Sequence, residues 1–144
     1  MRDNKIGEYR KPIAASGLVS FFTLTLPVFL YFYLMEKSNM AATFGKRIIR
    51  ISIFTSRKNK PRSIFLRNFL KFIPWEIAHV GVHWMVYYSA RGTSPPLWVW
   101  ITLLGPQLIV FSYLVSVVVY RGESSLYDQL AHTYVKRRDP ETKE

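Results

Sequence analysis

The sequence predicts an all-α polytopic membrane protein, a single domain over residues 1–144 with three transmembrane helices and a basic cytoplasmic connector. Residues 13–35 and 97–120 contain no charged side chain. Each run is long enough to cross a hydrocarbon core, which needs roughly 20 helical residues. A third apolar segment, residues 70–90, completes the three predicted spans. Basic side chains are concentrated between the first two of these spans and after the last one.

The first predicted span contains Pro27, which predicts a kink because proline lacks the backbone N–H of a regular helical turn. The span is too long for the apolar core of a signal peptide, and no small-residue cleavage site follows it. It ends in Tyr31, Phe32 and Tyr33, an aromatic cluster that is typical of the membrane interface.

The connector, residues 36–69, determines the predicted orientation. Ten of the 20 Lys and Arg residues fall between Lys37 and Lys71, where the sequence has no acidic residue. The positive-inside rule therefore places the connector and the tail, residues 121–144, in the cytoplasm. Three spans then put the N-terminus outside, although four basic residues precede the first span.

An alternating pattern in the connector predicts one extended segment. Ile49, Ile51 and Ile53 fall on one side, and Arg50 and Ser52 fall on the other. This is the period of a β-strand, and we expect the segment to lie at the level of the lipid headgroups.

The net charge of +11 does not indicate nucleic-acid binding. The basic residues flank predicted membrane helices, where anionic headgroups attract each Lys or Arg by about 1 kcal/mol. No nucleic-acid-binding motif accompanies them. The expected partner is therefore a lipid bilayer with anionic headgroups. Cysteine is absent, which excludes disulfides and thiolate metal sites.

The second predicted span carries the candidate functional site. Glu76, His79 and His83 are spaced i, i+3 and i+7, so they lie on one helical face. Ionisable groups are expensive in hydrocarbon and usually face a polar interior. One interpretation is a metal site, since Glu-x-x-His supplies ligands in helical bundles, but one helix offers too few ligands alone. The others are a proton or cation relay and plain hydrogen bonding to neighbouring helices.

The tail is predicted to begin with a short helix, because Ser125 and Asp128 have the spacing of a helix-capping pair. Asp128 is also predicted to form an electrostatic clamp with a basic residue of the connector. The three candidates for this pairing are Lys46, Arg47 and Arg67. His132 lies four residues after Asp128, a helical spacing that also suits metal ligands. Residues 136–144 are expected to be a solvated tail.

Three blocks lie in this order along the chain: Ala42-Thr-Phe-Gly-Lys-Arg47, Arg67-Asn-Phe-Leu-Lys71 and Leu126-Tyr-Asp-Gln-Leu-Ala-His-Thr133. Together they resemble the RDD family of small bacterial membrane proteins, named for one arginine and two aspartates. Of the two aspartates, only Asp128 is matched, and the chain is expected to lack the family's first helix with its Arg–Asp pair. The resemblance implies a bacterial cytoplasmic membrane and, as proposed for some members, sodium/proton exchange.

The sequence leaves three hypotheses for function. The first is a transport-related, cation- or proton-linked protein whose polar path is lined by Glu76, His79 and His83. The second is a non-catalytic accessory subunit of a larger membrane complex. The third is a membrane metalloprotein that uses the same three side chains, and no other cofactor is predicted. Three helices enclose too little volume for a permeation path, so a homo-oligomer or a partner subunit is expected. The sequence contains neither a P-loop nor a Ser–His–Asp arrangement that would indicate an enzyme.

Overall fold

The computed structural model describes residues 15–138, which are mostly helical and include one two-stranded sheet. In chain order the elements are α1 (Ala15–Lys37), α2 (Phe44–Ile48), β1 (Ile51–Thr55), α3 (Lys60–Ala90), α4 (Leu97–Val119), α5 (Leu126–Leu130) and β2 (Thr133–Arg137). The sheet corrects the all-α prediction. The basic residues before α1, the first two residues of the predicted first span and the tail beyond residue 138 lie outside the described residues.

α1 changes its helical period close to Pro27. Residues Phe21–Thr25 form a π-helical turn, and the Leu26 N–H donates to the Phe21 carbonyl, five residues back. Pro27 has no N–H to donate to the carbonyl of Thr23, and its ring would clash with that carbonyl in a regular α-helix. A π-turn is one way in which a helix accommodates such a break.

α3 is 31 residues long and begins ten residues before the predicted second span. Among the described residues, α1 and α4 are the two helices that are long and apolar enough to cross a membrane. Glu76, His79 and His83 lower the mean hydropathy of α3. Apolarity alone therefore identifies two of the three predicted spans.

The chain divides into two compact units. Of the described residues, the first unit contains 15–27 and 73–109, and the second unit contains 28–72 and 110–138. α1, α3 and α4 each contribute residues to both units.

Close helix packing characterises the first unit. Gly81 of α3 lies against the backbone of α4, so that a Cβ added there would be 2.9 Å from the Leu103 nitrogen. Val99 is fully buried, and the rings of Trp84 and Trp98 meet edge to face at 5.3 Å. A small residue at position 81 is what allows the two backbones to approach.

The sheet of the second unit joins the connector to the tail. β1 and β2 are antiparallel, with Ile51 opposite Arg137 and Thr55 opposite Thr133. Ile53 is 1% exposed and lies in the middle of β1. The predicted extended segment around Ile53 is therefore confirmed.

β2 was not predicted, and its residues were expected to form the end of a helix and the start of a solvated tail. α5 ends at Leu130, and His132 has φ 54°, a left-handed conformation that interrupts the helix. Thr133 is buried, and Val135 N–H donates to the Glu123 carbonyl at 2.7 Å. The expectation was wrong because this strand is short and charged, and its order comes from pairing with β1.

Candidate functional site

The three side chains predicted on one face of α3, Glu76, His79 and His83, all belong to the first unit; we call them the polar face. Thr25 of α1 donates its hydroxyl to Glu76 Oε1. The rings of His79 and His83 are stacked with centroids 6.3 Å apart, and Trp75 packs edge-on against His79 at 4.8 Å. The polar face therefore contacts α1 through a carboxylate and carries two neighbouring imidazoles.

One ring nitrogen of His83 has a hydrogen-bond partner, and the other has none among residues 15–138. Its Nδ1 lies 3.5 Å from the Ser16 hydroxyl of α1. Its Nε2 is buried and has no hydrogen-bond partner among residues 15–138. A buried polar atom without a partner is costly, so its presence calls for a functional or structural explanation. His83 is thus the member of the polar face with free capacity for a ligand.

The structure does not bring the polar face together as a metal site. No hydrogen bond joins Glu76 to His79 or His83 within the described part of the chain. In the same residues, no group of three or more His, Asp and Glu side chains is placed to hold a metal ion. The metal interpretation of these side chains gains no support from the geometry.

A second group of polar residues, in the second unit, is more completely connected. Glu36, in the last turn of α1, accepts from Lys46 Nζ at 2.8 Å, Arg67 Nη1 at 2.7 Å and Asn68 Nδ2 at 3.0 Å. The Arg67 Nε donates in turn to Asp128 Oδ1. We call Glu36, Lys46, Arg67 and Asp128 the buried charge cluster. Its two carboxylates and two cations balance by formal charge.

Burial makes the charge pairing in this cluster obligatory. Glu36 is 0% exposed, Asp128 is 2% exposed and Arg67 is 3% exposed. Burial disfavours the charge on Arg67, yet the carboxylates of Glu36 and Asp128 raise the pKa of its guanidinium above the ordinary value. Burial and the positive Arg67 lower the pKa of Lys46, while Glu36 opposes that shift. Arg67 is thus a permanent cation that bridges two buried acids.

Asp128 is held by its own helix as well as by Arg67. Ser125 caps α5, and its N–H and hydroxyl donate to Asp128 Oδ2 at 3.1 and 2.8 Å. The Thr133 hydroxyl donates to Asp128 Oδ1 at 2.9 Å. The predicted capping pair is confirmed as a full capping box. Four donors from three parts of the chain therefore fix this carboxylate: the Ser125 hydroxyl and N–H, the Thr133 hydroxyl and the Arg67 Nε.

The three basic residues proposed for the clamp are placed differently from one another. Arg67 contacts Asp128, whereas Lys46 contacts Glu36. Arg47 donates its Nε to the Ala42 carbonyl at 3.1 Å and approaches the Met35 sulfur at 3.9 Å, so it does not join the cluster. Of the three candidates, Arg67 is therefore the one that contacts Asp128 directly.

Sequence reasoning missed Glu36, which belongs to the buried charge cluster, and Asn68, which donates to Glu36. The available signal for Glu36 was its position, since it is the acid that ends an uncharged apolar run and precedes ten basic residues. Asn68 is 0% exposed and follows Arg67 directly, and its Oδ1 has no partner among residues 15–138. No pattern in the sequence singled out Asn68.

His132, the suggested second ligand beside Asp128, is not on α5. It lies in the exposed turn between α5 and β2, and its Nε2 is 2.8 Å from Arg57 Nη2. The i, i+4 helical spacing with Asp128 is therefore not realised, and the neighbouring guanidinium disfavours a cation there.

Comparison with known proteins adds the family. No curated protein and no solved structure matches the chain. The RDD family matches residues 5–132, a region that includes α1 and extends well beyond the three blocks that resemble it. With two helices apolar enough to cross a bilayer, the protein is a small membrane protein. The chain belongs to the RDD family.

Proposed function

We propose that this protein is a transport-related membrane protein in which the polar face of α3 carries a proton or a small cation. The observation that carries the proposal is the buried His83 Nε2, which has no partner among residues 15–138. Histidine exchanges protons in the physiological pH range, and an intramembrane ionisable group is expensive unless it has a role.

The neighbours of His83 support a relay. His79 stacks on it, Ser16 lies 3.5 Å from its other ring nitrogen, and Thr25 holds the Glu76 carboxylate one further turn along α3. Groups that donate and accept protons are therefore spaced at helical intervals along one side of α3. We infer that the buried charge cluster has a separate role, because all its acids are already paired with cations.

We also propose that α3 crosses the membrane as the second of three spans, and that the connector and the tail are both cytoplasmic in a bacterial plasma membrane, with the N-terminal end of α1 outside. Pairing of β1 with β2 supports a common side for the connector and the tail. If α4 crosses the bilayer, residues 91–96 lie on the opposite side from the tail. α3 joins the connector to residues 91–96, so α3 must then cross as well. Ten basic residues between Lys37 and Lys71 favour the cytoplasm for that side.

Proton flux in liposomes tests the transport proposal. The purified protein would be reconstituted with a pH-sensitive dye inside, and a sodium or potassium gradient would be imposed. We expect an internal pH change that Glu76→Gln and His83→Gln reduce to the level of empty liposomes. His132→Gln, which changes the exposed histidine of the second unit, is the matched control and should retain the wild-type flux.

Wild-type protein that gives no more flux than empty liposomes would contradict the proposal. Stable co-purification of a second membrane protein would then favour the accessory-subunit hypothesis. Equal flux in His83→Gln and wild type would remove the relay but leave transport by another route.

A further inference from the structure

An open groove of about 550 Å³ lies on the second unit, and no residue of the buried charge cluster lines it. Its walls are the turn after α4, residues 121–123, the β2 residues 135–137, Ile49 after α2 and Ile51 at the start of β1. None of these residues belongs to the polar face or to the cluster, so the groove is not explained by the proposed function.

The groove combines positive charge with an apolar wall. Arg121, Lys136 and Arg137 supply three cations, and Glu123 supplies one acid. None of the three cations forms a salt bridge with an acid among residues 15–138. The groove is therefore positive overall, and its cations are available to an anion.

Arg121 occupies a left-handed backbone position two residues after the end of α4. Arg121 has φ 52°, and Gly122 after it has φ 83°. The Arg121 N–H donates to the Val118 carbonyl at 3.1 Å, and the Gly122 N–H donates to the Val117 carbonyl at 2.8 Å. This left-handed position after a helix is usually glycine, because a Cβ is disfavoured there. An arginine in this position is an outlier of the kind that suggests a functional role.

The surroundings of the groove are apolar and exposed. Val118 and Val119, which end α4, are 78% and 65% exposed, and Arg121 follows two residues later. Ile48 and Ile49 are 70% and 58% exposed. The groove thus begins where an apolar helix ends, which is the level at which a bilayer presents its headgroups.

We propose that this groove binds the phosphate headgroup of an anionic phospholipid. The phosphate contacts Arg121 and Arg137, Lys136 at the preceding position of β2 adds positive charge, and the acyl chains lie along Ile49 and the end of α4. Guanidinium groups suit phosphate because their N–H groups match its oxygens in pairs. The exposed isoleucines and valines favour a lipid over a soluble phosphate, since they offer an apolar surface for acyl chains.

Native mass spectrometry of the full chain in a neutral detergent tests this site. Phosphatidylglycerol and phosphatidylcholine with identical acyl chains are titrated separately, and bound lipid is counted. We expect tighter binding of phosphatidylglycerol, weakened roughly 25-fold in Lys136→Gln/Arg137→Gln, which is about fivefold for each charge removed. The matched control is Lys58→Gln/Arg62→Gln, two exposed basic residues of the same unit outside the groove, which should bind as the wild type does.

Arg121→Gly separates binding from folding. Glycine suits the left-handed backbone, so the melting temperature should stay the same or rise, while phosphatidylglycerol binding weakens about fivefold. Unchanged phosphatidylglycerol affinity in both groove variants would overturn the site. An equal loss of phosphatidylglycerol affinity in the control variant Lys58→Gln/Arg62→Gln would also overturn it. Equal binding of phosphatidylcholine would exclude recognition of an anionic lipid. Full competition by glycerol phosphate at the lipid's own concentration would assign the groove to a soluble phosphate instead.

Discussion

Arg67 joins the two acids of the buried charge cluster in the second unit. It is 3% exposed and reaches Glu36 through Nη1 and Asp128 through Nε, so a single guanidinium satisfies two buried carboxylates. Lysine offers one ammonium and could not match both acids with the same geometry. Buried pairs of this kind add little net stability over an apolar replacement, but breaking one of them leaves an uncompensated buried charge.

Replacing Asp128 with alanine should therefore destabilise the protein. We expect a loss of about 3 kcal/mol, because Asp128→Ala deprives Arg67 of one partner and removes the acceptor of the α5 cap. The measurement is a thermal melt in detergent. Gln129→Ala, an exposed change on the same helix, is the control and should melt with the wild type. If Asp128→Ala melts at the same temperature as the wild type and Gln129→Ala, the clamp hypothesis is contradicted.

At the scale of elements, a single glycine sets the approach of α3 to α4 in the first unit. A Cβ at position 81 would lie 2.9 Å from the Leu103 nitrogen and 3.1 Å from the Leu103 Cα. Both are backbone atoms, so no side-chain rotation relieves the contact. The same unit also contains the polar face of α3.

Gly81→Ala is expected to lower stability even though alanine is the better helix former. Overpacking costs about 1–3 kcal/mol, against a gain of about 1 kcal/mol in helix propensity. Gly17→Ala in α1 is the control, because a Cβ at position 17 has nothing within 4 Å. Thermal melts of the two variants should diverge, with Gly17→Ala equal to or above the wild type. A stabilised Gly81→Ala would show that the helices are further apart than described.

At the scale of the whole molecule, the β1–β2 pair is the feature that links distant parts of the chain. It brings the connector and the tail together in the second unit, and the Arg67–Asp128 contact does the same across 61 positions of sequence. Two independent links between the same segments support the proposal that both lie on one side of a membrane. The proposed topology of three spans follows from this placement together with the apolarity of α4.

Cysteine labelling in intact cells tests this topology, and the chain is suited to it because it contains no cysteine. Ser94→Cys, between α3 and α4, should react with a membrane-impermeant maleimide. Lys58→Cys, in the connector, should react only after the cells are opened. Both positions are exposed, so accessibility within the fold does not decide the result. The same labelling pattern at the two positions would show that α3 does not cross the bilayer.

Local patterns in the sequence were enough to predict the membrane character, the extended segment around Ile53, the capping box of α5 and the family. Each depends on the composition, period or spacing of residues within short stretches, as does the i, i+3 and i+7 arrangement of Glu76, His79 and His83. Whether those three side chains carry a proton or a cation stays a prediction.

Only the tertiary structure decided which charges meet. It paired Lys46 with Glu36 and not with Asp128, directed Arg47 to the Ala42 carbonyl, and placed the Asn68 amide against Glu36. It also formed β2 from residues whose own composition indicated a tail. The physical reason is the same in both cases. Ion pairs and strand pairs form between segments that are distant in sequence. The sequence offers several basic residues or extended segments as possible partners, and only folding selects one of them.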